Sequence, residues 1–188
     1  MSGLVKSKDA LLRLCTNAVL IALVVVFDML SIRLGNDYKI TFGGIPIILC
    51  AIIYGPVDAA IVGFLGSFIG QLFTFGIDIT TPLWIMPAAV RGLVMGLLFI
   101  AFKKSTNVFV LTFEIIVSSI MVSLSNTLAL YLVFLITTAQ SDPNATYSFV
   151  LITFVMRIVM GIVSAIIYSV IIQGLLIAIK KITKKRTA

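Results

Sequence analysis

Five ionisable residues lie inside apolar stretches of this sequence, Asp28, Arg33, Arg91, Glu114 and Arg157, accompanied by the polar Gln71 and Asn126. An ionisable group within an apolar span is costly and rare, which makes each of them a candidate for function. Arginine presents a rigid planar fork of donors that suits a carboxylate, and an asparagine amide both donates to and accepts from a polar ligand. With ~1.5 Å of rise per helical residue, Asp28 lies roughly 8 Å, Arg91 roughly 10–12 Å, Arg157 roughly 12 Å and Asn126 roughly 16 Å below the outer end of their stretches. Those four are expected to converge in one outward-facing pocket. Glu114 lies about 10 Å from the opposite end, and Arg33 is close to the outer surface. Trp84 stands seven residues before Arg91, so on a helix the indole and the guanidinium share a face. Plainer roles are open to each residue. Asp28 could neutralise an arginine as a structural pair, Trp84 could anchor at the lipid interface, and Asn126 could bond between helices. Glu114 reads as a structural or interface residue.

The elements that must position these groups follow from composition. Of 188 residues, 61% are hydrophobic and 11% charged, and the mean hydropathy is +1.21. So much apolar surface exceeds what a soluble domain of this size buries, and the expectation is an all-α integral membrane protein in a single domain over 1–188. Polar breaks divide the chain into six apolar stretches, near 10–33, 43–54, 57–75, 84–102, 107–137 and 149–179. They predict a bundle of six transmembrane helices. The second stretch is too short for the ~20 residues a bilayer requires, so it is a short helix or a bend joined to the third at Tyr54-Gly55-Pro56. The first stretch lacks the layout of a cleaved signal and is expected to remain as a helix.

Lysines and arginines set the orientation. Lys6, Lys8, Arg13, Lys103, Lys104, Lys180, Lys181, Lys184, Lys185 and Arg186, ten of the 14 basic residues, fall on one side if both termini are cytoplasmic. The opposite connections, near 34–42, 76–83 and 138–148, are longer and carry Asp37, Asp78 and Asp142. Topology therefore accounts for most of the formal charge of +7, and nucleic acid is not an expected partner. Histidine is absent, and Cys15 and Cys50 are isolated, which argues against a metal cluster, a histidine base or a redox pair. No cofactor is expected.

Small residues recur at four-residue spacing as Ala18 and Ala22, Gly66 and Gly70, and Gly92 and Gly96. That spacing lets helices approach closely.

Several stretches taken together resemble the substrate-binding S components of energy-coupling factor (ECF) vitamin transporters, in particular the folate, pantothenate and hydroxymethylpyrimidine group. They are Asn17-Ala18-Val19-Leu20-Ile21-Ala22, Lys39-Ile40-Thr41-Phe42-Gly43-Gly44-Ile45-Pro46, Tyr54-Gly55-Pro56-Val57-Asp58-Ala59-Ala60, and Thr81-Pro82-Leu83-Trp84 through Arg91-Gly92-Leu93-Val94-Met95-Gly96. The resemblance implies a multi-pass protein of a prokaryotic plasma membrane that binds a small-molecule vitamin and is not itself an enzyme. Its partners would be a membrane T-component, docked through Ala18 and Ala22 of the first helix, and two cytoplasmic ATPase subunits. The connection between the first two helices would act as a lid. The chain has no Gly-x-x-x-x-Gly-Lys-Ser/Thr loop, consistent with ATP being used by partners. Arg91, Trp84, Asn126, Asp28, Arg157 and Gln71 are the expected substrate-binding residues. One arginine, an aromatic and an amide match the inventory of pantothenate. Folate and hydroxymethylpyrimidine are the rivals, folate bringing a pterin to stack and two carboxylates for several arginines. Two other classes compete, a channel or secondary transporter acting alone and a membrane lipid-modifying enzyme. The former would show repeated halves and the latter clustered acids or histidines, and neither pattern is evident.

Overall fold

A computed structural model of the chain describes residues 2–34, 38–137 and 143–186. Six helices follow one another: α1 (Ser2–Met29), α2 (Gly44–Tyr54), α3 (Pro56–Phe75), α4 (Thr81–Ala101), α5 (Val108–Thr137) and α6 (Pro143–Arg186). Between α1 and α2 lies a small antiparallel hairpin, β1 (Ile32–Leu34) and β2 (Tyr38–Ile40), in which Arg33 faces Lys39 across the ladder. Its strands take in Leu34 and Tyr38–Ile40 of the stretch expected as a plain loop at 34–42, and Ile32 and Arg33 of the expected first span; Gly35, Asn36 and Asp37 lie outside the described residues. The expected third outer connection is shorter than anticipated, because α6 begins at Pro143; Asp142 is outside the described residues.

Side-chain pairings fix the path of the chain. Arg13 of α1 is ion-paired with Asp58 of α3, and Gly66 of α3 packs on Val24 of α1, so α1 and α3 run the same way. The α2 helix runs against α1: the Phe42 N–H meets the Phe27 carbonyl at 3.4 Å, while the Cys50 thiol reaches Asn17 Oδ1 at 3.6 Å. Gly63 packs on Ala88, and Gly92 on Ala59, which sets α4 antiparallel to α3. Arg91 meets Ser119 and Phe102 meets Phe113, which turns α5 back against α4. Ser123 bonds the Arg157 carbonyl and Thr112 bonds Ser169, which turns α6 back against α5. The starts of α1, α3 and α5 and the ends of α2, α4 and α6 therefore lie together, and both ends of the chain point to the half that carries Arg13, Lys103 and Lys104.

Among the described residues, five helices are long and apolar enough to cross a membrane, whereas α2 is a shorter apolar helix. Its 11 residues extend only ~16 Å. It is joined to α3 through the single residue Gly55, whose φ of +96° suits glycine, and Pro56 then starts α3 where a missing N–H costs nothing. The inside of the bundle holds Val24, Ile48, Val62, Met95, Leu111, Ile115 and Ile172, each 0% exposed. Its outside is equally apolar, with Val19, Phe73, Phe109 and Val170 among many exposed side chains. That is the pattern of a bundle solvated by lipid. Only 11% of the spanning window is buried in α1 and in α6, against 39% in α5, so the two terminal helices offer the most open faces.

The tightest seam joins α3 to α4. A Cβ on Gly92 would stand 2.3 Å from the Ala59 carbonyl, and one on Gly96 would stand 2.4 Å from Pro56 Cα. Both neighbours are backbone and cannot step aside. Gly92→Val should therefore destabilise the bundle by about 1–3 kcal/mol, read as a lower melting temperature in detergent. Gly174→Ala is the control, since nothing lies within 4 Å of that position; an equal fall in both variants would contradict a glycine-dependent seam.

Candidate functional site

A cavity of about 950 Å³ opens at the half of the bundle away from the basic ends. Its existence follows from the length of α2. Six helices fill the half containing Arg13, but α2 begins only at Gly44, level with Asp28 at the end of α1, and α3 to α6 surround the space beyond. Gly44 and Ile47 at the start of α2 contribute to the wall.

Each surrounding helix supplies one face at helical spacing. From α4 come Trp84, Pro87, Ala88 and Arg91; from α5 come Ser119, Ser123 and Asn126; from α6 come Arg157, Gly161, Ser164 and Tyr168. Gly70, Gln71 and Thr74 of α3 and Asp28 at the end of α1 complete it. All six residues expected to bind substrate, Asp28, Gln71, Trp84, Arg91, Asn126 and Arg157, thus line one cavity and are half-buried there. Sequence reasoning missed Tyr168, Ser119 and Ser123. The first was within reach, because Arg157, Gly161, Ser164 and Tyr168 recur at spacings of four, three and four in an otherwise apolar helix.

Arg91 has a defined setting. Its Nη1 donates to Ser119 Oγ at 3.4 Å, its guanidinium carbon sits 5.2 Å from the centre of the Tyr168 ring, and among the described residues it forms no ion pair. Tyr168 is 2% exposed, and its hydroxyl donates to the carbonyl of Thr41. Gly44 admits both groups, since a Cβ there would meet Tyr168 Cε2 at 2.7 Å and Arg91 Cζ at 3.2 Å. Asp28 packs against the adjacent Gly43, where a Cβ would lie 2.2 Å from its Oδ1. A guanidinium and a carboxylate therefore flank the Gly43-Gly44 step. The start of α2 adds the positive end of its dipole to the same wall.

The remaining charged groups divide between the two halves. Arg13, expected only as a topological charge, is held by Asp58 and by the Tyr54 ring 5.8 Å away. These contacts tie α1 to α3 and to the end of α2, beside a smaller hollow of about 440 Å³. Glu114 is 0% exposed, and neither carboxylate oxygen finds a hydrogen-bond partner among the described residues. It lies inside the bundle, away from the cavity wall. Ala18 and Ala22 are exposed on α1, in line with the exposed Leu11 and Cys15.

At the cavity mouth, Asp78 organises the start of α4. Its Oδ1 accepts from the Thr80 N–H and the Thr80 hydroxyl, each at 2.7 Å, and from the Thr81 hydroxyl at 3.3 Å. These bonds, led by the Thr80 hydroxyl, hold the Asp78 carboxyl below its ordinary value. A depressed value means that the native state favours the ionised form. The contribution is therefore present above the unfolded-state value and is lost as pH falls through the folded one. Asp78→Ala should lower the melting temperature at neutral pH, and the gap to wild type should close in acid below the usual carboxylate range. A gap that persists unchanged in acid would mean that Asp78 acts through packing instead.

The comparisons with known proteins follow the same lines. A profile described as "ECF transporter, substrate-specific component" matches residues 12–179. Among solved structures, one described as the S component of a bacterial ECF transporter superposes with a TM-score of 0.66 at 20% identity. The match covers 92% of this chain and 97% of that one, and at this identity it speaks to the fold. No curated protein matches the sequence. With a family match over nearly the whole chain, the same fold and five apolar helices long enough to span, the chain belongs to the substrate-specific S components of ECF transporters and is a multi-pass membrane protein that binds a substrate for transport.

Proposed function

We propose that this S component captures a small vitamin carrying a carboxylate, pantothenate in the first place, and that Arg91 binds that carboxylate inside the cavity. The observation that carries this reading is a guanidinium on a cavity wall with no ion-pair partner among the described residues. A cation at such a depth costs about 2.5–3.5 kcal/mol on insertion scales, and a ligand carboxylate offsets part of that while its charge-assisted hydrogen bonds contribute about 1.5–3 kcal/mol. The N-terminus of α2 favours an anion at the same place. Asn126, Gln71 and the hydroxyls of Ser119, Ser123 and Ser164 suit the hydroxyl and amide groups of pantothenate. Asp28 accepts from ligand donors, Trp84 covers the apolar part, and Arg157 adds a second positive group.

Folate is the second reading. The 950 Å³ cavity has room for it, Trp84 and Tyr168 offer rings to its pterin, and Arg91 and Arg157 match two carboxylates. Competition between the two vitamins for the purified chain separates the readings. Arg91→Ala should weaken binding of the preferred vitamin roughly 10- to 100-fold, with Arg91→Lys restoring only part because the two-point contact is lost. An Arg91→Ala variant that binds like wild type would move the anion site to Arg157.

In the transporter, the half bearing Lys103, Lys104 and the chain ends faces the cytoplasm and the cavity opens outside. The exposed small-residue face of α1 at Ala18 and Ala22 docks on a T-component, and two ATPase subunits supply the energy. Ala18→Trp or Ala22→Trp should abolish uptake in cells while leaving vitamin affinity of the isolated chain unchanged. Full uptake with both replacements would place the docking face elsewhere. Co-purification of ATPases with the tagged chain distinguishes this assembly from a carrier acting alone.

A further inference from the structure

The geometry points to Tyr168 as the positioning residue that keeps Arg91 ready for an anionic ligand, an inference that rests on the carboxylate-binding reading of Arg91. A guanidinium held inside an apolar bundle needs stabilisation before any ligand arrives. A neighbouring carboxylate would provide it, but would also occupy the N–H donors and compete with the ligand for them. An aromatic face attracts the cation without using a donor. Arg91 has the second arrangement: the Tyr168 ring lies 5.2 Å from its guanidinium carbon, and among the described residues a single hydroxyl, that of Ser119 at 3.4 Å, accepts one of its five N–H bonds.

The ring is itself fixed from two sides. The hydroxyl is anchored on the Thr41 carbonyl, and the ring edge lies against Gly44, where no side chain longer than hydrogen fits. Tyr168 is 2% exposed, so its lost side-chain freedom has already been spent when the ligand binds. Its hydroxyl fixes where the ring stands, and the ring fixes where the guanidinium stands. The ring rather than the hydroxyl should therefore carry the preference for a charged ligand.

The test uses the full chain in detergent and two probes for each vitamin, pantothenate or folate and the corresponding analogue with its carboxylate replaced by a primary amide. The quantity read is the ratio of acid to amide affinity for whichever vitamin wild type binds, with melting temperature followed in parallel. Tyr168→Leu should lower the ratio about ten- to thirty-fold, while Tyr168→Phe, which keeps the ring, should hold it within about three-fold of wild type. Tyr168→Leu with an unchanged ratio, in a chain where wild type still prefers the acid, would overturn the positioning role and leave the Arg91 reading intact. A fall of equal size in Tyr168→Phe would also overturn it, since the anchoring bond and not the ring would then be responsible. Wild type that binds acid and amide equally, or binds neither vitamin, would instead overturn the Arg91 reading and this inference with it. Should Tyr168→Leu fail to fold, Tyr168→Trp, which keeps an aromatic face at greater volume, must retain the acid preference for the role to stand.

Discussion

The charge on Arg91 is the constraint around which the cavity is built. Inside a bundle whose core and outer surface are both apolar, a guanidinium needs compensation from its surroundings, and among the described residues it has the Tyr168 ring and the Ser119 hydroxyl. Each of these stabilises positive charge only in part, and the positive end of α2 beside it favours an anion instead. Together the ring and the hydroxyl hold the cation in place with most of its donors uncommitted, which is the condition under which a ligand carboxylate gains the most from binding.

Helix packing makes that arrangement possible. The α3–α4 seam brings two backbones into contact through Gly92 and Gly96, and this close approach fixes the face of α4 that carries Trp84 and Arg91. The shortness of α2 does the rest. Had α2 continued past Gly44 as a full span, its side chains would occupy the volume that now forms the cavity. One small apolar helix therefore divides the molecule into a packed half, tied together by Arg13 and Asp58, and a hollow half. The proposed ligand site belongs to the hollow half, while the open face of α1 runs the length of the packed one.

Much of this was legible in the sequence. The spans, the turn at Gly55-Pro56 and the depth of the polar residues follow from hydropathy and a fixed rise per residue, and those depths bring Asp28, Arg91, Asn126 and Arg157 to one pocket, with Trp84 added by the face it shares with Arg91. What was not legible has particular causes. Three-residue strands such as Ile32–Leu34 are too short to show alternation, so the hairpin read as a loop. The role of Thr41 lies in its main-chain carbonyl, which carries no trace in residue type. Tyr168 read as one aromatic in a long apolar helix; its spacing from Arg157, Gly161 and Ser164 marks its face, but its contact with Arg91 has no sequence signal. Arg13 looked like a charge placed by topology, because its partner Asp58 is 45 residues away. Glu114 is buried deeper than an interface residue would be, since a sequence gives depth along a helix but not which face turns inward when the hydrophobic pattern is nearly uniform.

A structure of the chain with its vitamin bound tests the central claim most directly. The account predicts the ligand carboxylate within about 3 Å of two Arg91 N–H groups, with the Tyr168 ring still beneath the guanidinium. A carboxylate seated on Arg157 or at the cavity mouth, with Arg91 keeping its contacts to Ser119 and Tyr168 and making none to the ligand, would contradict it.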